Sequence, residues 1–277
     1  MYELFSHMQY IIFLWFNEFE LDFYLQALLP VAQFGKVKVQ ESKNHLTLIG
    51  KDRKPFKISK KFIEWLVGFT DAEGNFHLSL KHQTPDGNLF SGVQLFFQIG
   101  LHMDHLKTLQ LIQSKLHFGS ISPDLEDNRY NFAVGDLYSI VNIILPIFEY
   151  FKLNSSKINI YNLFKQAVVI LLAKEHLKKD LTGKKKLVEI RSAIANLVLN
   201  KQAGIVNKIT VNWLIGFIEG DVTFSTCDNW VRMKFENTLV ETQLFQAIIQ
   251  FLGLNPNHHS PSSLYISQEA GGGGGIN

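Results

Sequence analysis

One short pattern occurs twice in this chain: WLVGFTDAEGNF from Trp65 to Phe76, and WLIGFIEGDVTF from Trp213 to Phe224. In register the copies share Trp, Leu, Gly, Phe, a small residue, an acid and a closing Phe. Gly68 and Ala72 stand four apart in the first copy, as do Gly216 and Gly220 in the second. Small residues at that spacing line one helix face and let two helix backbones approach closely. Two such helices packed side by side bring their C-terminal ends together, and with them Glu73 and Asp221.

That meeting is costly by itself. A helix C-terminus already carries partial negative charge, and two carboxylates at close range repel. A divalent cation is the physical remedy. Mg2+ prefers hard oxygens, one or two carboxylates with waters or phosphates completing its shell, and the free carbonyls at the helix ends, Ala72 and Gly220, add further oxygens. One copy alone reads as a packed segment with a surface acid. Two copies in matched register, each followed by a strand, read as one site built from pseudo-symmetric halves.

The rest of the chain is consistent with that plan. Ser59 is placed to cap a helix through Ala72, which Gly74 ends. Alternation then predicts strands at Phe76–Leu80 and Val93–Ile99, joined by the Thr84-Pro85-Asp86-Gly87-Asn88 turn. Helical spacing follows at Leu106, Leu109, Ile112 and Leu116, then strands at 120–122 and 129–134 and helices at about 136–151 and 155–176. The second copy predicts a helix from Thr210 to Gly220, strands at 222–226 and 230–236, a helix at 240–252 and a strand at 263–267. The fold class is therefore α+β, two pseudo-symmetric αββαββα repeats of antiparallel strands, the second incomplete. Residues 60–177 form the first repeat, 178–207 a basic helical linker, 208–268 the second repeat, and 269–277 a Gly-rich tail with five consecutive glycines. Residues 1–59 match nothing else in the chain. They read as an extension with a strand pair near Val37–Val39 and His45–Ile49, and Lys51–Lys61, with Pro55, reads as a linker.

Composition narrows the function classes. At 277 residues, 46% hydrophobic and 19% charged, the chain suits a sizeable core. A net charge of +2 permits a polyanionic partner without demanding one. Cys227 is the single cysteine, which excludes an intrachain disulfide and a multi-cysteine metal site. Tyr10–Phe16 is apolar but is cut short by Asn17, Glu18 and Glu20, so no membrane span is expected. The N-terminus has neither a secretory nor a transit-peptide pattern.

The paired motifs are similar to the LAGLIDADG signature of homing endonucleases and intron maturases. Leu66 to Gly74 and Leu214 to Val222 occupy its nine positions, and the likeness extends over roughly residues 60–268. The resemblance implies a site-specific double-strand DNA endonuclease of intron homing that hydrolyses phosphodiesters with Mg2+ or another divalent cation. Two alternatives from the same resemblance stay open: an RNA-binding maturase that assists splicing of its own intron, and an inactive remnant. It implies metal binding at the eighth motif position, Glu73 and Asp221, and a basic residue near the site, Lys157. It implies a saddle of strands in the DNA major groove. By register the outward residues there are His77, Ser79, Lys81, Gln94, Phe96, Gln98 and Arg129 in the first half, and Arg232 and Lys234 in the second. Asp71 and Glu219, at the sixth position, read as helix-end or capping acids, and His258-His259 as a loop. The basic stretch from Lys178 to Arg191 reads equally as a solvated face or a phosphate contact. A monomer in an organelle, most naturally a mitochondrion, is implied. Val222 stands where the signature has Gly. If that position requires φ > 0, a β-branched residue there is strained.

Overall fold

The computed structural model describes residues 40–82, 84, 90–227, 230–235, 240–254 and 263–267. The Val37–Val39 strand, the Pro85–Asn88 part of the predicted turn, His258-His259 and the glycine run lie outside these residues.

Two helices form the spine. The first motif helix, Lys60–Glu73, and the second, Val211–Asp221, are the most extensively packed pair of elements among the described residues. Each runs without a loop into a strand, β4 (Gly74–Lys81) after the first and β8 (Val222–Cys227) after the second. The small residues are the reason the helices can touch. A Cβ on Gly68 would lie 1.9 Å from the Trp213 carbonyl oxygen, and one on Gly216 would lie 2.0 Å from that of Trp65. The aromatic residues repeat the symmetry: Trp65 on Phe69 and Trp213 on Phe217 each stack at 5.0 Å with 12° between planes.

Gly74 and Val222 both adopt extended backbone, at φ −77° and −112°. The expected strain at Val222 is therefore absent, because the position does not use the left-handed region. Gly74 is required for space instead: a Cβ there would lie 2.4 Å from Thr70 Cγ2.

The first repeat builds a four-stranded antiparallel sheet from β4, β5 (Gly92–His102), β6 (Ser120–Asp124) and β7 (Arg129–Val134), in the order β4-β5-β7-β6. Period-two alternation divides its faces. Phe76, Leu78, Leu95, Phe97, Ile99 and Phe132 are buried beneath helices 106–116, 145–150 and 157–172. Phe76 sits within 5.1–5.4 Å of Phe97, Phe148, Tyr161 and Phe164, so an aromatic cluster fills the space between this sheet and its helices. Between residues 137 and 150 the helix includes a π turn, Ile140–Ile144, which lies next to Pro146, a residue with no N–H for the regular ladder. In the second repeat β8, β9 (Trp230–Phe235) and β10 (Ser263–Ser267) form a three-stranded sheet, with helix Thr242–Phe251 behind it.

The N-terminal region corrects one expectation. Pro55–Ser59 is not a linker but a strand, β3, paired with β2 (His45–Ile49), which also pairs with β1 (Gln40–Glu41). Pro55 is tolerated as the first residue of its strand. Alternation carries Leu46, Leu48 and Ile58 into the core, and Tyr138 donates its hydroxyl to the Gly50 carbonyl at 3.0 Å. Ser59 occupies the N-cap position, but its side chain makes no capping bond. Thr210 does cap its helix, accepting from the Trp213 N–H at 3.2 Å.

Candidate active site and nucleic-acid face

The two motif acids emerge at the ends of the crossed helices. A Cβ on Gly220 would lie 2.5 Å from Ala72 Cβ and 3.0 Å from Glu73 Cγ, so the two C-termini are in contact. Asp221 and Ala72 share a cavity of about 280 Å³ with Asn75, Lys157 and Glu241. Glu73, Asp221 and Asp71 all act on the Lys157 ammonium as attracting charges.

Lys157 opens the helix Lys157–Leu172 and reaches under the first motif helix, donating to the carbonyls of Thr70 (3.2 Å) and Ala72. It takes up part of the negative end of that helix dipole. Burial is the largest influence on this ammonium and holds it down at about 8, against the pull of the three carboxylates. The Ala72 carbonyl, expected on a metal, thus already accepts from Lys157; Gly220 lies across the helix contact from it.

Asp71 holds Lys157 in place. Its carboxylate is buried and accepts from the Asn154 N–H (2.9 Å), the Ser155 N–H (2.9 Å), the Ser155 hydroxyl (2.6 Å) and the Trp213 indole N–H (2.8 Å). Burial pushes this carboxyl up, and those donors oppose the push. Glu219, its counterpart, accepts from the Trp65 indole N–H at 2.9 Å on the exposed side. Each sixth-position acid therefore fastens a Trp of the opposite helix.

Sequence patterning did not pick out Glu241, Lys201, Gln202 or Asn75. Glu241 accepts from the Ser156 N–H at 2.7 Å across the repeat boundary. Asn75 was within reach of the period-two rule, two residues before His77. Lys201 and Gln202 lie in an irregular segment with no periodic signal.

The residues predicted for the outer face of the first sheet do share it. His77 pairs in register with Phe96, Ser79 with Gln94, and Gln98 lies between Asn75 and Ala133. His77, Lys81 and Arg129 are exposed, and Ser79, Gln94, Phe96 and Gln98 are half-buried. Although its side chain reaches solvent, partial desolvation by its neighbours and then the Arg191 guanidinium hold the His77 imidazole below its ordinary value, disfavouring its charged form. Arg129 spends one donor on the Gly100 carbonyl at 3.1 Å. In the second half Lys234 is exposed opposite Thr223, and Arg232 lies opposite Ser225 on the same face by register.

The donor set suits a hard divalent cation: two carboxylates at touching helix ends, with main-chain carbonyls beside them. Among the described residues no cluster of three or more His, Cys, Asp or Glu competes with it as a metal site. No described helix is long and apolar enough to cross a membrane.

Comparison with known proteins agrees with this architecture. Residues 66–168 match the family described as LAGLIDADG endonuclease. The chain is 27% identical over 216 residues to a probable intron-encoded endonuclease 2 of Neurospora crassa, covering 68% of this chain and 47% of that protein. It is 31% identical over 170 residues to a probable intron-encoded endonuclease Cox1-I1b of Schizosaccharomyces pombe, covering 61% and 42%. It thus spans about half the length of the curated relatives it matches. Among solved structures, I-SmaMI bound to uncleaved DNA target in the presence of calcium ions aligns with a TM-score of 0.58 at 19% identity, over 74% of this chain and 79% of that one. The fold is that of these proteins.

Proposed function

We propose that this chain, whose residues 66–168 match the LAGLIDADG endonuclease family, is a monomeric, site-specific double-strand DNA endonuclease of intron homing, residues 60–177 and 208–268 serving as its two halves. One observation carries the reading: both motif helices end in an acid at their point of contact, where each helix runs directly into the first strand of its sheet. Intron-encoded relatives support the homing role, and an organellar, mitochondrial setting goes with that reading.

In this reading the outer strand faces bind the duplex. A two-stranded ribbon fits the major groove and presents alternate side chains to base edges. Gln94 and Gln98 offer paired donors and acceptors, while Lys81, Arg129, Arg232 and Lys234 meet phosphates or guanine. Glu73 and Asp221 would hold Mg2+ or a similar ion. Such an ion would supply Lewis-acid polarisation of the phosphodiester and a nucleophile available at neutral pH. Lys157 places a positive charge beside the acids, balancing them and facing the charge that develops on the phosphate. Asp71 and Ser155 fix where that ammonium sits.

The test is cleavage of a cognate duplex in Mg2+. Glu73→Gln and Asp221→Asn should each abolish cutting while leaving duplex binding in Ca2+ nearly unchanged, and chelation should stop the wild-type reaction. Undiminished cutting by Glu73→Gln would refute the assigned role. A maturase role is favoured by one further feature, the exposed Lys178, Lys179 and Lys185 around the linker helix Thr182–Leu199. Splicing that survives loss of both acids would select it.

A further inference from the structure

The linker between the repeats is built into the acidic cavity. After the linker helix, whose Leu187, Ile190 and Ile194 pack it down, residues 202–207 lie along residues 153–159 and are fastened there repeatedly. Asn159 donates to the carbonyls of Gln202 (3.1 Å) and Ala203 (3.3 Å). The Asn207 N–H donates to Asn154 Oδ1 at 2.6 Å, and its side-chain amide to the Leu153 carbonyl at 2.9 Å. Gly204 sits so close that a Cβ would lie 2.2 Å from the Ser155 carbonyl oxygen. This strap is pinned to the same turn that Asp71 holds and that presents Lys157. Its first residues, Lys201 and Gln202, therefore stand in the cavity wall with Lys157 and Asp221.

Among the described residues the charges around this cavity are unequal between the halves. The first repeat supplies Lys157, whose ammonium is tied down by two main-chain carbonyls. Among the described residues the second repeat lines the cavity with Asp221 and Glu241 and with no basic side chain. Lys201 is exposed, at the cavity mouth, and its charge bears on Lys157.

We propose that Lys201, delivered by the linker strap, is a phosphate-binding residue of this site, supplying to one DNA strand the cation that Lys157 supplies to the other. The proposal rests on the endonuclease reading and adds to it that the phosphates of the two strands face unlike ammonium groups, one buried and fixed, one exposed and set by the linker. Gly204 matters because the strap must lie flat on Ser155 for Lys201 to reach the cavity.

The experiment uses the full chain and a supercoiled plasmid bearing a duplex recovered from a randomised library by its binding to the wild-type protein in Ca2+. Wild type in Mg2+ should linearise it. Lys201→Ala should slow cleavage of one strand about tenfold or more, so that nicked circles accumulate, with the melting temperature unchanged. Lys201→Arg should restore linearisation. Wild-type cutting matched by Lys201→Ala without a nicked intermediate overturns this proposal alone. Equal slowing of both strands, with a lowered melting temperature and no rescue by Arg, also overturns it and marks the residue as structural. A wild-type chain that cuts nothing overturns the endonuclease reading and this proposal with it.

Discussion

Substituting Gly68 by Ala adds one methyl group where the structure has no room for it. The new Cβ would lie 1.9 Å from the Trp213 carbonyl oxygen and 2.7 Å from its carbon. Ordinary contact requires roughly 1.5 Å more, and both obstacles are backbone, so no side chain can swing aside. The helices must part or tilt along the whole crossing. Overpacking of this kind costs about 1–3 kcal/mol, and for a chain of this size each kcal/mol moves the melting temperature by about 2–4 °C. A fall of roughly 2–12 °C is expected by calorimetry or circular dichroism. Cleavage should fall further than stability does, because a displacement of about 1 Å at a reacting centre costs on the order of 10²-fold. Gly92→Ala is the matched control, since among the described residues its Cβ would meet Lys81 alone, at an ordinary 3.7 Å; it should melt within about 0.5 kcal/mol of wild type. A Gly68→Ala protein that melts and cuts like wild type would refute the claim that close backbone contact aligns the two acids.

Other outcomes follow from the same geometry. Trp213→Phe removes a buried indole donor from Asp71 and should cost about 1–3 kcal/mol, whereas Trp65→Phe removes the equivalent donor from exposed Glu219 and should cost clearly less; urea midpoints compare them. At Glu149 burial works to raise the carboxyl, but bonds from Lys152, Lys165 and Tyr161 outweigh it and hold the group at about 2. Because the folded value lies below the unfolded one, this stabilisation is complete above about pH 4.3 and is lost as pH falls towards 2. The side chain is 40% exposed, so screening reduces its worth to about 1 kcal/mol, and Glu149→Gln should flatten stability against pH across that window. Lys81→Ala and Lys234→Ala should each weaken duplex binding across sequences and lower the salt slope by about 1, as read by fluorescence anisotropy.

The repeated motif made the helix pair, the two acids and the strands that follow them legible, because each rests on short-range rules: small residues four apart, a helix running into alternation, and acids in matched register. The outer-face residues of β4 and β5 followed from period two alone. Strand β3 was misread, since Pro55 and a run of lysines look like a linker when the partner strand is not in view. Strain at Val222 was expected from the residue type, but only the backbone angle decided it.

What the amino-acid order determined by itself was the two-fold plan and the pair of carboxylates, because both are repeats of local pattern. Tertiary structure decided what surrounds them. Asp71 fastens Ser155 and Trp213, Lys157 reaches back to the Thr70 and Ala72 carbonyls, and the strap from Lys201 to Asn207 closes the cavity wall. Those contacts join residues some 50 to 140 positions apart in the chain. No local periodicity encodes such separations; the physical cause is the close crossing of two helices, which brings the turns attached to them into one place.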